Sequence, residues 1–257
     1  MRGASGACLV LLWVTACSDN GGTIDDDGGL GLGSVTVDLD LAETGTRNTE
    51  CLIGNLVADA FFFALAGDGI DFAMVGGGGL RCPDEFDAIQ CEGYIIPAGP
   101  IGLAQLEILL PFDNELVIKE VTGAQLRSTF ERSVSTIPSE RKGWFLHPSA
   151  SLRYTADCAL PAQTVNADGT VIESEGTRVT AITIDGVAIE DAATYRVATT
   201  AFVAAGNDGH VQLGQATSIV RTGVTERHAV AELLVDGSPL TPQLDGRIQL
   251  TPACITP

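Results

Sequence analysis

Asp71-Phe72-Ala73-Met74-Val75-Gly76-Gly77-Gly78-Gly79-Leu80-Arg81 is the stretch on which the reading of this chain turns: a short apolar run, four consecutive glycines, then an arginine. Four adjacent glycines remove every Cβ and permit positive φ, so the backbone can turn sharply and lie against something bulky. The sharp reading is one wall of a nucleotide or phosphate-ester pocket with Arg81 aimed into it. The plain one is a tight strand-to-loop turn carrying a surface arginine. A glycine run alone does not separate them, so the flanking segments must.

Upstream, Asn48 and Thr49 are N-cap candidates for a helix from about Glu50 to Ala66, with Leu52, Leu56, Ala60, Phe63 and Ala64 near helical spacing, stopped by Asp68-Gly69. Earlier still, Ser34 to Leu39 alternates as a strand. Downstream of the glycines comes the Cys82 to Cys91 loop, then a strand or short helix from Ile101 to Leu110 and the corner Pro111-Phe112-Asp113-Asn114. Glu115 to Val121 reads as a strand. Gly123 to Val134 reads as a helix carrying Leu126, Phe130 and Val134 on one face, with Glu131-Arg132 on a solvated one. Ser133, Ser135 and Ser139 lie in no nucleophile elbow.

The second half is β-rich: Ser151 to Thr155, Arg178 to Ile184 and Tyr195 to Thr200, with Asp185-Gly186 as a turn between the last two. Phe202 opens the turn-like Gly206-Asn207-Asp208-Gly209-His210, a helix runs from about Thr225 to Val235, and Arg247 to Leu250 is the last strand. Helices and strands without regular βαβ alternation predict an α+β domain, a single mixed sheet with helices packed on it, over residues 34–252.

With 45% apolar residues the chain can build a core. Its 14 Lys+Arg against 33 Asp+Glu, a formal charge of -19, exclude nucleic acid as a partner, since that requires a cationic face. An anionic ligand must be held by a few arginines inside a pocket. Residues 1–16 read as a signal peptide: Arg2 gives a positive start, Ala7 to Val14 is a short apolar run, and Val14-Thr15-Ala16-Cys17 resembles a bacterial lipoprotein signal that places a lipid on Cys17. An ordinary secretory signal is the alternative. Both send the protein out of the cytoplasm, with the lipid anchor placing it in the bacterial cell envelope, at the periplasmic face or the cell surface. Residues 17–33, rich in Gly and Asp, read as a flexible tether. In an oxidising compartment Cys82 and Cys91 are the best disulfide candidates, Cys158 and Cys254 the next, and Cys51 a small buried residue at a helix start. The cysteines lack zinc-site spacing.

Three segments now each put a stacking or charged side chain at a strand end: the glycines with Arg81, the corner with Phe112, and Phe202 leading to Asp208. A nucleoside pocket needs such a set, with aromatic faces for a base, a carboxylate for ribose hydroxyls and arginines for phosphate. Here the sequence resembles the C-terminal domain of the 5'-nucleotidase family. The resemblance rests on Arg47-Asn48-Thr49-Glu50-Cys51-Leu52-Ile53-Gly54-Asn55-Leu56-Val57-Ala58-Asp59-Ala60, Gly77-Gly78-Gly79-Leu80-Arg81, Leu110-Pro111-Phe112-Asp113-Asn114, and Tyr195 through Phe202 to Gly206-Asn207-Asp208-Gly209. It covers the chain from about Val35 to Leu250 and implies a substrate-binding set of Arg47, Gly77, Gly78, Gly79, Arg81, Phe112, Asn114, Phe202 and Asp208. Phe112 and Phe202 would stack on the base, Asp208 would hold the ribose, and Arg47 and Arg81 would contact phosphate or ribose.

Two positions depart from the family pattern. Gly76 stands where Asn or Ser usually precedes the glycines, and Asn207, which tolerates the left-handed conformation, stands where a second glycine usually precedes the aspartate. The family's catalytic metals sit in a separate N-terminal metallophosphoesterase domain, which the sequence ahead of Val35 does not resemble, and His147, His210 and His228 are scattered. The resemblance therefore implies no catalytic residue, no metal ligand and no cofactor in this chain. The expectation is a lipid-anchored nucleotide- or nucleoside-binding domain that complements a separate metallophosphoesterase in nucleotide catabolism. The alternative is an interaction or scaffold lipoprotein with a vestigial pocket.

Overall fold

The computed structural model describes residues 31–83 and 91–255. The signal peptide, Cys17 and all but the last three residues of the expected tether lie outside them. The central layer is a five-stranded mixed sheet. Its spatial order is Ile219–Thr225, Glu115–Thr122, Thr194–Thr200, Phe72–Gly76 and Leu146–Pro148. Only the Thr194–Thr200 pairing with Phe72–Gly76 is parallel, with Val197 opposite Phe72. The glycine run thus leaves the sheet from an interior strand, and the alternation of that strand serves two cores. Ala73 and Val75 enter a cluster with Ile53, Val57, Phe61, Leu106, Val230 and Leu234, contributed by the helices Leu52–Leu65, Leu103–Leu109 and Glu226–Gly237. Phe72 and Met74 enter the opposite cluster with Leu126, Phe130, Leu152 and Tyr154. A strand buried on both faces reads as a continuous apolar run, as this one does.

A second, four-stranded sheet, ordered Val187–Ala188, Val179–Ile184, Leu152–Ala156, Ile248–Leu250, backs the second cluster. The domain is α+β, and its strands form more than the single sheet expected. Asp185 and Gly186, both with positive φ (49° and 79°), turn the chain as a two-residue hairpin should. The returning strand is Val187–Ala188, however, while Thr194–Thr200 departs for the central sheet. The expected Ser34 to Leu39 strand is broken in two. Gly31–Val35 pairs with Gly99–Gly102 and Leu39–Asp40 with Ile95–Ile96. Between them Thr36 N donates to Leu240 O (2.9 Å) and Asp38 Oδ1 accepts from Ala98 N (2.8 Å). Gly31 to Gly33, read as the end of the tether, belong to the first of these strands.

The first long helix spans Leu52–Leu65 and its N-cap is Cys51, not Asn48 or Thr49. The chain is held in the preceding turn because His147 Nε2 meets Thr46 O at 2.8 Å and Thr46 O presses on Gly77. Of the expected face Leu56 and Ala60 are buried, whereas Phe63 is exposed and Phe61 is the fully buried aromatic. Gly54 lets the helix lie directly on the His147 ring; a Cβ there would stand 2.3 Å from Nδ1. The segment read as strand or helix contains both, since Gly99–Gly102 is followed by Leu103–Leu109. Helix Gly123–Ser133 begins with a capping box, Thr122 Oγ1 accepting from Gln125 N while Gln125 Oε1 accepts from Thr122 N.

Glu131-Arg132, expected on a solvated face, is buried. Glu131 accepts from Arg178 N and Val179 N of the second sheet (2.9 and 2.7 Å), and Arg132 turns toward the pocket described below. Helical spacing could not show this, because the groups that cover the two residues, Arg178 and Val179 for Glu131 and Trp144 with the Asp208 loop for Arg132, come from distant parts of the chain. Ser133 accepts from Leu146 N and Ser135 donates to Arg132 O, both as structural contacts. Disulfides join Cys82 to Cys91 (Cα–Cα 5.7 Å) and Cys158 to Cys254 (4.9 Å). Cys51 is a free, buried thiol, pushed up to about 12 by burial, and its Sγ lies 3.9 Å from His147 Nε2.

Candidate functional site

Of the four glycines, Gly77 and Gly78 are needed for close approach, not for an unusual backbone. Gly76 has φ -79° and none of the run has positive φ. A Cβ on Gly77 would stand 1.9 Å from Thr46 O, and one on Gly78 would stand 2.8 Å from Gly143 Cα. Both separations are shorter than real contacts, so the run is threaded between two backbone segments. Gly77 N donates to Phe145 O (2.7 Å) and Gly78 N to Gly143 O (2.9 Å), which fixes it there.

This threading brings Arg47 and Arg81 to one cavity of about 330 Å³. Eight of the nine expected residues line it: Arg47, Gly78, Gly79, Arg81, Phe112, Asn114, Phe202 and Asp208. Gly77 stands behind the wall, against Thr46. Phe112 and Phe202 are 58% and 45% exposed, which sets them apart from Phe61, Phe72, Phe130 and Phe145, all fully buried. Large aromatics at the mouth of a cavity add little to a core, so core packing does not account for these two. The Arg81 guanidinium lies over the Phe112 ring, 5.4 Å from its centroid. Phe202 is carried on a single helical turn, Ala201–Ala204, capped by Thr200 Oγ1 accepting from Val203 N at 3.2 Å.

Asp208 occupies the left-handed region (φ 59°) between Gly206 (87°) and Gly209 (81°). The left-handed residue expected at Asn207 is thus Asp208 itself, and the Asn207 side chain donates to Phe202 O instead (2.9 Å). Arg132 lies beneath the loop. Its guanidinium is stacked 3.7 Å from the centroid of the Trp144 ring and its Nε donates to Asp208 O at 2.8 Å. A side chain on Gly209 would strike that guanidinium at 2.7 Å. Burial raises the Asp208 carboxyl above the usual range, while Arg132, Arg47 and Arg81 draw it down.

Two lining residues lie outside the motifs, Gly143 and Glu226. Glu226 is the consequential one, because it is an almost fully buried acid pushed up to about 7, chiefly by burial. Its one sequence signal is its place just after Thr225, the N-cap of its helix. His147 and His210 are buried and held neutral, lowered to about 4 and about 3 by burial. Among the described residues no group of three or more His, Cys, Asp or Glu side chains comes together as metal donors. A metal pair of the kind the resemblance implies for its catalytic domain does not fit these residues.

Fold and cavity together define an α+β domain in which two aromatic faces, two arginines and the carboxyl groups of Asp208 and Glu226 converge on one pocket. The chain belongs to the family of the 5'-nucleotidase C-terminal domain, whose model matches residues 30–215. Among curated proteins it is similar to the trifunctional nucleotide phosphoesterase protein YfkN of Bacillus subtilis, 29% identical over 85% of this chain and 14% of that protein. It is also similar to protein UshA of Salmonella pullorum, 25% identical over 81% of this chain and 32% of that protein. Among solved structures, the 5'-nucleotidase precursor of Thermus thermophilus superposes with a TM-score of 0.73 at 28% identity, over 86% of this chain and 39% of that one. The chain therefore spans well under half the length of these relatives.

Proposed function

We propose that the domain binds nucleosides or nucleotides outside the cytoplasm and presents them to a metallophosphoesterase domain that carries the hydrolytic chemistry. The observation that carries this reading is the convergence of two half-exposed phenylalanines, Asp208, Arg47 and Arg81 on one cavity. Phe112 and Phe202 sandwich the base. The Asp208 carboxylate accepts from ribose hydroxyls, and Arg47 and Arg81 take the phosphate. These residues bind and orient, and the metals that activate water belong to the partner domain. Two disulfides and the lipobox-like Val14 to Cys17 support an extracytoplasmic, lipid-anchored location.

Calorimetric titration of the folded protein with AMP, adenosine and UDP-glucose tests the binding claim. Heat with at least one of them is expected. Silence with all three would leave the scaffold reading in its place.

A further inference from the structure

Glu226 is 1% exposed yet lines the cavity, at the first position of helix Glu226–Gly237. Its Oε2 accepts from Asn114 N at 2.8 Å and from Asn114 Nδ2 at 3.1 Å, while Glu226 N donates back to Asn114 O at 3.0 Å. Its Oε1 lies beside the glycine wall, 3.7 Å from where a Cβ on Gly79 would stand. The corner is held from its other side as well. Asp113 Oδ1 accepts from Arg227 N at 3.1 Å, and Arg227 Nε lies 3.4 Å from Asp113 Oδ2. The Asn114 backbone is therefore fixed beside Glu226, and its amide is turned to the carboxyl by the Nδ2–Oε2 bond.

A carboxamide has nearly the same shape at both ends and opposite chemistry. A flip of Asn114 would set its Oδ1 against Glu226 Oε2, which already accepts from the Asn114 backbone N–H and is therefore the unprotonated oxygen even when the acid holds a proton on Oε1, so two acceptors would face each other. Glu226 thus decides which end of the amide each side receives. With Nδ2 turned to the carboxyl, Oδ1 is the atom left for the cavity that Asn114 lines.

Resting on the nucleotide reading above, we propose that Glu226 is a specificity-determining positioning residue: it locks the Asn114 amide with its carbonyl toward the ligand, so the pocket favours a base bearing an amino group at that edge over its keto counterpart. An asparagine amide matches adenine by accepting from the 6-amino group and donating its remaining N–H to N7. In hypoxanthine the 6-oxygen replaces that amino group and meets Oδ1 acceptor to acceptor. Such a pairing discriminates by about tenfold or more.

The test is titration of adenosine and inosine, which differ at this edge, against the wild type, Glu226→Leu and Glu226→Gln. The wild type is expected to prefer adenosine by about tenfold, and Glu226→Leu to bring the ratio near one. Glu226→Gln, whose amide oxygen can accept from both Asn114 N–H groups, is expected to restore the preference. Equal affinities in the wild type overturn the inference whatever the variants do. So does a Glu226→Leu variant that weakens both nucleosides while keeping their ratio, since that is a structural effect alone. Should Glu226→Leu not fold, Asn114→Leu takes its place and must abolish the ratio. If neither nucleoside binds folded wild type, the nucleotide reading falls, and this inference with it.

Discussion

Two glycine-rich segments face the same cavity, and they use glycine for different physical reasons. Gly76 to Gly79 has no positive φ, and at Gly77 and Gly78 it needs glycine because Thr46 O and the Gly143 backbone fill the space a Cβ would take. Gly206 to Gly209 needs it because the chain turns left-handed, at Gly206, Asp208 and Gly209. The first segment is a wall pressed between neighbours and the second is a loop whose own conformation aims a carboxylate. Composition makes the two look alike, and only the surroundings show that the first constraint is wholly tertiary while the second begins in the backbone, with the Arg132 guanidinium adding to it at Gly209.

The largest break in that comparison is expected from Gly77→Ala. A methyl 1.9 Å from a carbonyl oxygen forces the wall and the Arg47 turn apart. The cost should reach the top of the overpacking range, about 3 kcal/mol, and lower the melting temperature by roughly 6 to 12 °C, with nucleotide binding lost as Arg47 moves. Calorimetric melting checks it, and a fall below about 1 °C would show that the wall is not tightly threaded. Next come Phe112→Ala and Phe202→Ala. Each is expected to weaken base binding by about 1 to 3 kcal/mol in titration, with little change in melting because the rings are half exposed.

Gly206→Ala should be milder than Gly77→Ala. An alanine at φ 87° costs about 1 to 2 kcal/mol, and its methyl would stand 3.1 Å from Gly214 Cα. If the two alanine variants melt together, the distinction between wall and loop fails. The smallest effect is a pH slope. Glu226 is raised from 4.5 to about 7, so the folded state holds a proton that the unfolded state has released. The stability this contributes is full below about pH 4.5 and is lost as pH rises through about 7. Chemical denaturation of wild type and Glu226→Gln across that window should differ in slope by at most about 1.4 kcal/mol per pH unit, the wild type losing stability with rising pH.

Much of the site was legible because its parts are short motifs fixed by local chemistry. The Phe112 corner, the Phe202 to Asp208 segment and the glycines each sit at a strand end, where side chains cluster whatever the loop between them. The helix beginning after Thr122 was legible from its apolar spacing, and the one after Thr225 was placed to within a residue or two of its ends. Arg132 and Glu226 were not. A charged residue on a helix reads as solvated unless one knows that another sheet or a strand corner lies over it. The burial of Glu131 under Val179, and of Glu226 under Asn114, is decided by segments 48 and 112 positions away in the chain.

The sequence by itself determined the kind of domain, the order of its motifs, and which aromatic and charged side chains were available to a pocket, because spacing, capping and composition act over a few residues. Only the tertiary structure decided why Gly77 and Gly78 must be glycine, that Asp208 and not Asn207 takes the left-handed turn, and that a buried acid grips Asn114. Those depend on backbone and side-chain distances of 2 to 4 Å between distant segments, which no local pattern encodes.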